Sequence, residues 1–333
     1  VSVFTPVKAD QLGPLLHRLS LGSLRTVHGI SQGVDNSNFL LNTRCGEYVL
    51  TLFERLTAEQ LPFYLQLLDH LAVKQFPVIR LCHDHNGQAL QRINGRYAVV
   101  ADKSPGVHRM QPNQADCLAL GQALAQMHIA LRDFPLTLPN PFGMGWCQRV
   151  SQSLCLQLPA SQQQRLQQEL CWQAEWAACH YPALPSGIVH GDLFRDNVLF
   201  HDTSPSGECA QSSSSTISAF LDLYFAGHEA LIFDIAVCLN DWCINSLSCT
   251  LQPDLALALL AGYQRQRQLS AQEKQMMGNM LRLTALRFWL SRQHEWLWPR
   301  AGVSYLPRDP QPYYQLLQYW QQPDAIGLLQ SLL

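Results

Sequence analysis

Ile188-Val189-His190-Gly191-Asp192-Leu193-Phe194-Arg195-Asp196-Asn197-Val198-Leu199-Phe200 is the most informative stretch of the chain. Apolar residues flank a polar centre, a pattern that predicts a loop between two short buried strands. Asp192 is a carboxylate that can orient an attacking hydroxyl and accept its proton. Asn197, five residues on, offers an amide oxygen to a hard cation such as Mg²⁺. His190 suits bracing the loop better than chemistry. The plainer alternative is a buried polar loop in which Asp and Asn cap turns. The complete pattern is much rarer than its parts, and that favours the chemical reading.

A second carboxylate follows in Ala219-Phe220-Leu221-Asp222-Leu223-Tyr224-Phe225-Ala226-Gly227, an apolar strand that ends at Asp222. Alone, Asp222 is a strand-end or turn residue. With Asp192 and Asn197 it becomes a second candidate Mg²⁺ ligand. The polar run Asp202–Ser218, with consecutive serines at 212–215, reads as a surface loop that can bring Asn197 and Asp222 together.

Upstream, the first hundred residues read as mostly β. Leu24–His28 is a strand, Gly29–Ser37 a polar loop, and Phe39–Thr43 with Glu47–Phe53 a hairpin. A helix is expected from Pro62 to Gln75. Asn86-Gly87 and Asn94-Gly95 are both expected to turn hairpins, the last strand being Arg96–Asp102. After Ser104-Pro105-Gly106 the pattern turns helical. Asn113–Arg132 is capped by Asn113, and Met276–Trp298 precedes the proline-rich turn Pro307–Pro312. The pattern predicts an α+β bilobal chain. A small antiparallel sheet with one helix spans 1–101, and a larger, mainly helical lobe spans 102–333, with a ligand site expected near Val100–Lys103 at their junction.

Composition narrows the functional classes. The 333 residues suit one large domain or two ordinary ones at roughly 150 residues each. Hydrophobic residues make up 47%, enough for a sizeable core, while charged residues are only 14% against a usual share of about 25%. A formal net charge of −2 lacks the basic footprint of a nucleic-acid or anionic-membrane binder. No run reaches the roughly 18 apolar residues of a membrane helix, and no signal-peptide pattern appears at the start. Eleven cysteines, an odd number without a C-x-x-C pair, suit reduced core thiols. The expectation is a soluble cytoplasmic protein.

The spacing His190-x-Asp192 with Asn197, then Asp222, resembles the catalytic and metal loops of the protein-kinase-like aminoglycoside phosphotransferase and choline kinase superfamily. Within it the chain most resembles the bacterial type II homoserine kinases. That likeness rests on Asn36-Ser37-Asn38-Phe39, Tyr48–Glu54, Asp234–Val237 running into Asn240-Asp241-Trp242-Cys243, and Ala285–Arg292.

The resemblance implies a protein-kinase-like fold that uses ATP and Mg²⁺. Asp192 would be the catalytic base, and Asn197 and Asp222 the metal ligands. Gly29–Asn38 would be the phosphate-covering loop, with Ser37 and Asn38 donating to phosphate oxygens. Val100 and Asp102 belong to the segment whose backbone would read adenine. A lysine that pairs with ATP phosphates in relatives is replaced here by Thr51, as it is in homoserine kinases, which leaves the phosphate cation unassigned. Glu54 reads as a solvated strand-end charge.

Homoserine carries a hydroxyl, an ammonium and a carboxylate. Arg287 or Arg292 would clamp the carboxylate, and Asn240 and Asp241 would receive the ammonium. Five residues on a helix turn about 140°, so one of the two arginines is expected to face the substrate. Asp234 would anchor the catalytic loop. Alternatives remain open: a related kinase of another amino alcohol (choline, hydroxylysine or an aminoglycoside), a catalytically silent nucleotide-binding module, or, more distantly, a metal-dependent hydrolase. Cys82-His83-Asp84-His85 imitates a metal site but lies against a turn. His128 reads as a hydrogen-bonded core histidine, and Phe288, Trp289, Trp296 and Trp298 as helix packing.

Overall fold

The computed structural model describes residues 5–30, 36–201, 215–299 and 307–333. They form two compact units, the first within Val1–Pro105 and the second made of Gly106–Pro299 and Pro307–Leu333. The expected phosphate-covering loop falls largely in 31–35 and the serine-rich loop largely in 202–214, outside the described residues.

The first unit starts with α1 (Ala9–Arg18), a helix not anticipated from the sequence. Leu12, Leu15 and Leu16 line its buried face at helical spacing, and Pro14 interrupts the pattern a reader would look for. Five strands follow: β1 (Leu24–Gly29), β2 (Ser37–Thr43), β3 (Glu47–Phe53), β4 (Gln91–Ile93) and β5 (Arg96–Asp102), in antiparallel order β1-β2-β3-β5-β4. The β2 burial pattern alternates strictly, because every second side chain enters the core. Phe39 and Leu41 meet Leu50, Leu52 and Val100 there, and the α1 leucines close the cluster. Helix α2 (Leu61–Val73) carries Pro62 in its first turn, where a missing N–H does no harm. Asn94 and Gly95 both take positive φ, as a two-residue hairpin turn between β4 and β5 demands. Asn86-Gly87 differs. It closes on Asp84, whose side chain accepts from the Asn86 and Gln88 N–H groups, and no strand flanks it. The local aspartate satisfies the turn without a ladder.

The second unit runs α3 (Gln114–Ala130), α4 (Met144–Leu154), α5 (Ala160–His180), β6 (Ser186–Val189), β7 (Val198–Phe200), β8 (Ile217–Phe220), β9 (Gly227–Ala230) and α6 (Ile232–Trp242). It ends with β10 (Ile244–Asn245), β11 (Thr250–Leu251), α7 (Pro253–Gln264), α8 (Ala271–Leu297), α9 (Gln311–Trp320) and α10 (Pro323–Leu332). Asn113 caps α3 by accepting from the Asp116 N–H at 3.0 Å. Helix α8 starts at Ala271, five residues earlier than the apolar pattern suggests, since Ser270 caps it and Glu273 completes a capping box. Helices α3 and α7 cross with no room for a side chain: a Cβ on Gly121 would stand 2.0 Å from the Leu259 carbonyl oxygen, and one on Gly262 would stand 2.1 Å from that of Leu118. Helix α6 is the centre of this unit, buried over nearly its whole length. Phe288 and Trp289 are packed away as expected, whereas Trp296 and Trp298, in the last turn of α8 and just beyond it, are 47% and 43% exposed.

Candidate active site

The stretch 188–200 forms a loop between β6 and β7, which pair with different partners. Strand β6 pairs with β9, and β7 with β8. The loop is therefore pinned at its two ends to separate two-stranded sheets. Between them, Asp234 at the start of α6, itself 0% exposed, accepts the His190 N–H at 2.7 Å and the Gly191 N–H at 2.8 Å. Gly191 needs to be glycine, because its φ is +80° and a Cβ would stand 2.7 Å from the Phe225 carbonyl oxygen. Trp242 closes the other side, its Nε1–H donating to the Leu193 carbonyl at 3.0 Å.

His190 is wholly buried. With its proton on Nε2 it donates to the Leu221 carbonyl at 2.8 Å, while Nδ1 accepts the Asp192 N–H at 3.3 Å. Burial lowers its pKa, against the opposing pull of Asp234, and this suits a neutral ring. His128, on α3, bridges Tyr263 and Asp234: Nδ1 lies 2.8 Å from the Tyr263 hydroxyl and Nε2 lies 3.1 Å from Asp234 Oδ2. Arg267 Nη1 donates to the same hydroxyl at 3.1 Å. A line of hydrogen bonds thus runs from Arg267 through the core to the backbone of the catalytic loop. Sequence reading recognised His128 as a core histidine but missed this link, because α3, α6 and α7 meet only in the fold.

Asn197 Nδ2 donates to the Asp192 backbone oxygen at 2.7 Å and to Asp192 Oδ2 at 3.2 Å. With its nitrogen committed, the amide oxygen is what Asn197 can offer a cation. The Leu221 N–H bonds the Asn197 carbonyl at 2.9 Å and holds the two segments side by side, with Asp222 next in the chain. Asp222 takes a left-handed conformation, φ 53° and ψ 44°, which Asp tolerates better than most residues. An amide oxygen and a carboxylate are the hard donors Mg²⁺ prefers when phosphates and water complete its shell. The residues therefore fit the ion. Among the described residues, no three His, Cys, Asp or Glu side chains gather into a metal cage. In the Cys82–His85 segment, His83 Nε2 lies 3.0 Å from Asp69.

The acceptor candidates divide. Arg287, whose side chain is 4% exposed, places Nη1 3.5 Å from Asp192 Oδ1. Its guanidinium stands over Phe288 at 3.8 Å and Phe142 at 4.9 Å. Arg292 covers the Tyr313 ring at 4.3 Å, and burial pulls its pKa down. Asp241 is engaged by Arg195, accepting from its backbone N–H at 2.8 Å and its Nε at 3.1 Å. It is thus a loop clamp rather than an open seat for an ammonium. Asn240 is a correction. It is 4% exposed and its side chain ties α6 to α8 and α9, donating to Leu281 and Thr284 and accepting from Trp320 at 2.7 Å. A buried amide with its bonds filled cannot greet a substrate. Arg308, not foreseen, pairs with Asp196. Burial works to lower the Arg308 pKa, but Asp196, Asp192 and Asp241 outweigh it and the net shift is upward.

In the first unit, Ser37 is fully buried, and its hydroxyl donates to Glu54 Oε1 at 2.7 Å and accepts the Thr5 N–H at 3.1 Å. Glu54, expected in solvent, is instead only 8% exposed and also meets Arg96 at 3.3 Å. The Ser37 hydroxyl is therefore a core contact rather than a phosphate donor. Thr51 donates to Asn38 Oδ1 at 2.8 Å, across a register that sets the two residues opposite each other on β3 and β2. The Val100 carbonyl accepts the Cys82 N–H at 2.8 Å, and the Asp102 N–H donates to Arg80 at 2.9 Å. Those backbone groups are consumed by the segment at 80–82 and are not presented to an adenine edge.

Comparison with known proteins agrees with this arrangement. The family model described as "Phosphotransferase enzyme family" matches residues 26–274. A homoserine kinase of Paraburkholderia xenovorans (strain LB400) is 38% identical over 319 residues, 96% of this chain and 95% of the relative. One from Burkholderia vietnamiensis (strain G4 / LMG 22486) is 39% identical over the same shares. Among solved structures, an amicoumacin kinase in complex with AMP-PNP and Ca²⁺ superposes with a TM-score of 0.65 at 14% identity, covering 92% of this chain and 88% of its own. The chain belongs to the phosphotransferase enzyme family and has the family's α+β fold.

Proposed function

We propose that this phosphotransferase is an ATP-dependent homoserine kinase, which transfers the γ-phosphoryl group of ATP to the side-chain hydroxyl of L-homoserine. The products are O-phospho-L-homoserine and ADP, in threonine biosynthesis. The likeness to homoserine kinases along 96% of the chain carries the choice of acceptor, and the catalytic-loop geometry supports the chemistry. A cytoplasmic location, where ATP is available, belongs to this reading. Among the described residues no helix is long and apolar enough to cross a membrane.

Asp192, oriented by Asn197 and Arg287, takes the proton of the acceptor hydroxyl as its oxygen bonds the γ-phosphorus. The bond from that phosphorus to the β–γ bridging oxygen breaks, and ADP leaves with the electron pair. Asn197 and Asp222 would hold Mg²⁺, which when bound neutralises phosphate charge. Asn38, whose Oδ1 accepts from Thr51, has two amide hydrogens to offer phosphate oxygens. Positioning and charge complementarity are the main devices, because phosphoryl transfer asks little covalent chemistry of the protein. Arg287, next to the base, is the cation best placed for the acceptor carboxylate.

The test is ADP release from MgATP by purified protein, followed in a coupled assay. L-Homoserine is compared with choline, hydroxylysine, serine and no acceptor. Homoserine-dependent turnover is expected. Turnover confined to another acceptor would keep the kinase and overturn the substrate. ATP binding without turnover on any acceptor would point to a silent module.

A further inference from the structure

Tyr313, at the start of α9, is 5% exposed, and among the described residues its hydroxyl has no hydrogen-bond partner. A buried O–H without an acceptor costs free energy unless a ligand supplies one. The ring is fixed on three sides: it stacks on Phe194 at 6.2 Å, meets Phe288 at 5.2 Å and lies under the Arg292 guanidinium at 4.3 Å. Phe194 belongs to the catalytic loop and Phe288 adjoins Arg287, so the hydroxyl is held among the groups of the acceptor site. Burial raises its pKa. Asp241 and Asp192 act the same way, and Arg292 and Arg287 oppose them.

The neighbouring carboxylates are already engaged. Asp241 accepts from Arg195, Asp192 from Asn197 with Arg287 beside it, and Asp196 from Arg308. None of these carboxylates is left to accept the Tyr313 proton, and beside a guanidinium the substrate group that fits is a carboxylate. We infer that Tyr313 is a specificity-determining residue, its hydroxyl donating to the acceptor carboxylate that Arg287 clamps, while Arg292 holds the tyrosine ring in place. The inference rests on the proposed acceptor and adds the residue that separates an amino acid from the corresponding amine.

Tyr313→Phe removes the hydroxyl and leaves the ring packing. L-Homoserine is compared with 3-aminopropan-1-ol, which has the same hydroxyl and ammonium but no carboxylate. The expected result is a KM for L-homoserine raised at least about tenfold, the size of one lost hydrogen bond to a charged group. The KM for MgATP should stay within about twofold, and the preference for L-homoserine over the amine, as a ratio of kcat/KM, should shrink by a similar factor. A KM for homoserine within twofold of wild type, or equal losses on both acceptors, overturns the inference. Thermal melting of both proteins separates a folding defect from either result. Wild-type protein is assayed first. Absence of homoserine turnover there sinks the acceptor assignment together with Tyr313, whereas wild-type turnover with an unaltered variant sinks Tyr313 alone.

Discussion

Arg287 Nη1 stands 3.5 Å from Asp192 Oδ1, so the proposed base and the proposed carboxylate clamp are in direct contact. The guanidinium is held from behind by the rings of Phe288 and Phe142, at 3.8 and 4.9 Å. One cation can thereby align the base and draw the acceptor toward it. Asp192→Asn keeps the shape and removes the proton acceptor, and kcat should fall by at least ~10²-fold with the KM for ATP little changed. Steady-state kinetics on the purified variant decides this, and near-normal turnover would remove Asp192 from the base role.

For Arg287 the planar fork and the ring stacking both matter. Arg287→Met should lower kcat/KM for L-homoserine by roughly 10- to 150-fold, the range of a lost charge-assisted hydrogen bond. Arg287→Lys, which retains the charge, should recover only part of that. Full recovery by lysine would show that charge alone suffices.

Asn197 and Asp222 are expected to act as a pair. At fixed MgATP, Asp222→Ala should raise the free Mg²⁺ needed for half-maximal rate by at least about tenfold, and Asn197→Ala should do likewise. Chelation by EDTA should abolish wild-type activity. A variant with an unchanged Mg²⁺ requirement would lose its place as a ligand.

Asp234 acts through the backbone of the catalytic loop. Asp234→Ala strands the His190 and Gly191 N–H groups and breaks the contact with His128. The loss should be about 3 kcal/mol of unfolding free energy, typical of a dismantled buried charged network, read by urea denaturation. A stability within 0.5 kcal/mol of wild type, roughly the spread of an ordinary surface change, would contradict the anchoring role.

His190 links folding to pH. Burial lowers its pKa in the folded state, so below the unfolded value of about 6.5 the unfolded chain binds a proton that the native ring resists. Its contribution is complete above pH ~6.5 and declines as pH falls toward the folded pKa, by up to ~1.4 kcal/mol per pH unit. The unfolding free energy of wild type should therefore drop more steeply between pH 7 and 5 than that of His190→Gln. Parallel slopes would assign the acid sensitivity elsewhere.

How much was legible in advance follows the range of the interactions. The β2–β3 hairpin, the Asn94-Gly95 turn and the Asn113 cap are set within a few residues, and periodicity and turn chemistry revealed them. The spacing of Asp192 and Asn197 was equally plain, because that loop is written in consecutive residues, and Asp222 was picked out by its place at the end of a later apolar strand. Helix α1 and the early start of α8 were not read from the pattern, one obscured by Pro14 and the other lying beyond the apolar run that drew the reading.

By itself the sequence determined the α+β class, the kinase-like loop and the residue types available to it, since each depends on local spacing. Only the tertiary structure decided which polar side chains remain available for a substrate. In the sequence Asn240 looks like an acceptor for the ammonium and Ser37 like a phosphate donor, yet both spend their bonds inside the core, whereas Tyr313, which the sequence reading did not single out, keeps a buried hydroxyl unpaired among the described residues. The physical reason is that a hydrogen-bonding group is committed by whatever the fold brings within about 3 Å, and those partners lie tens of residues away along the chain.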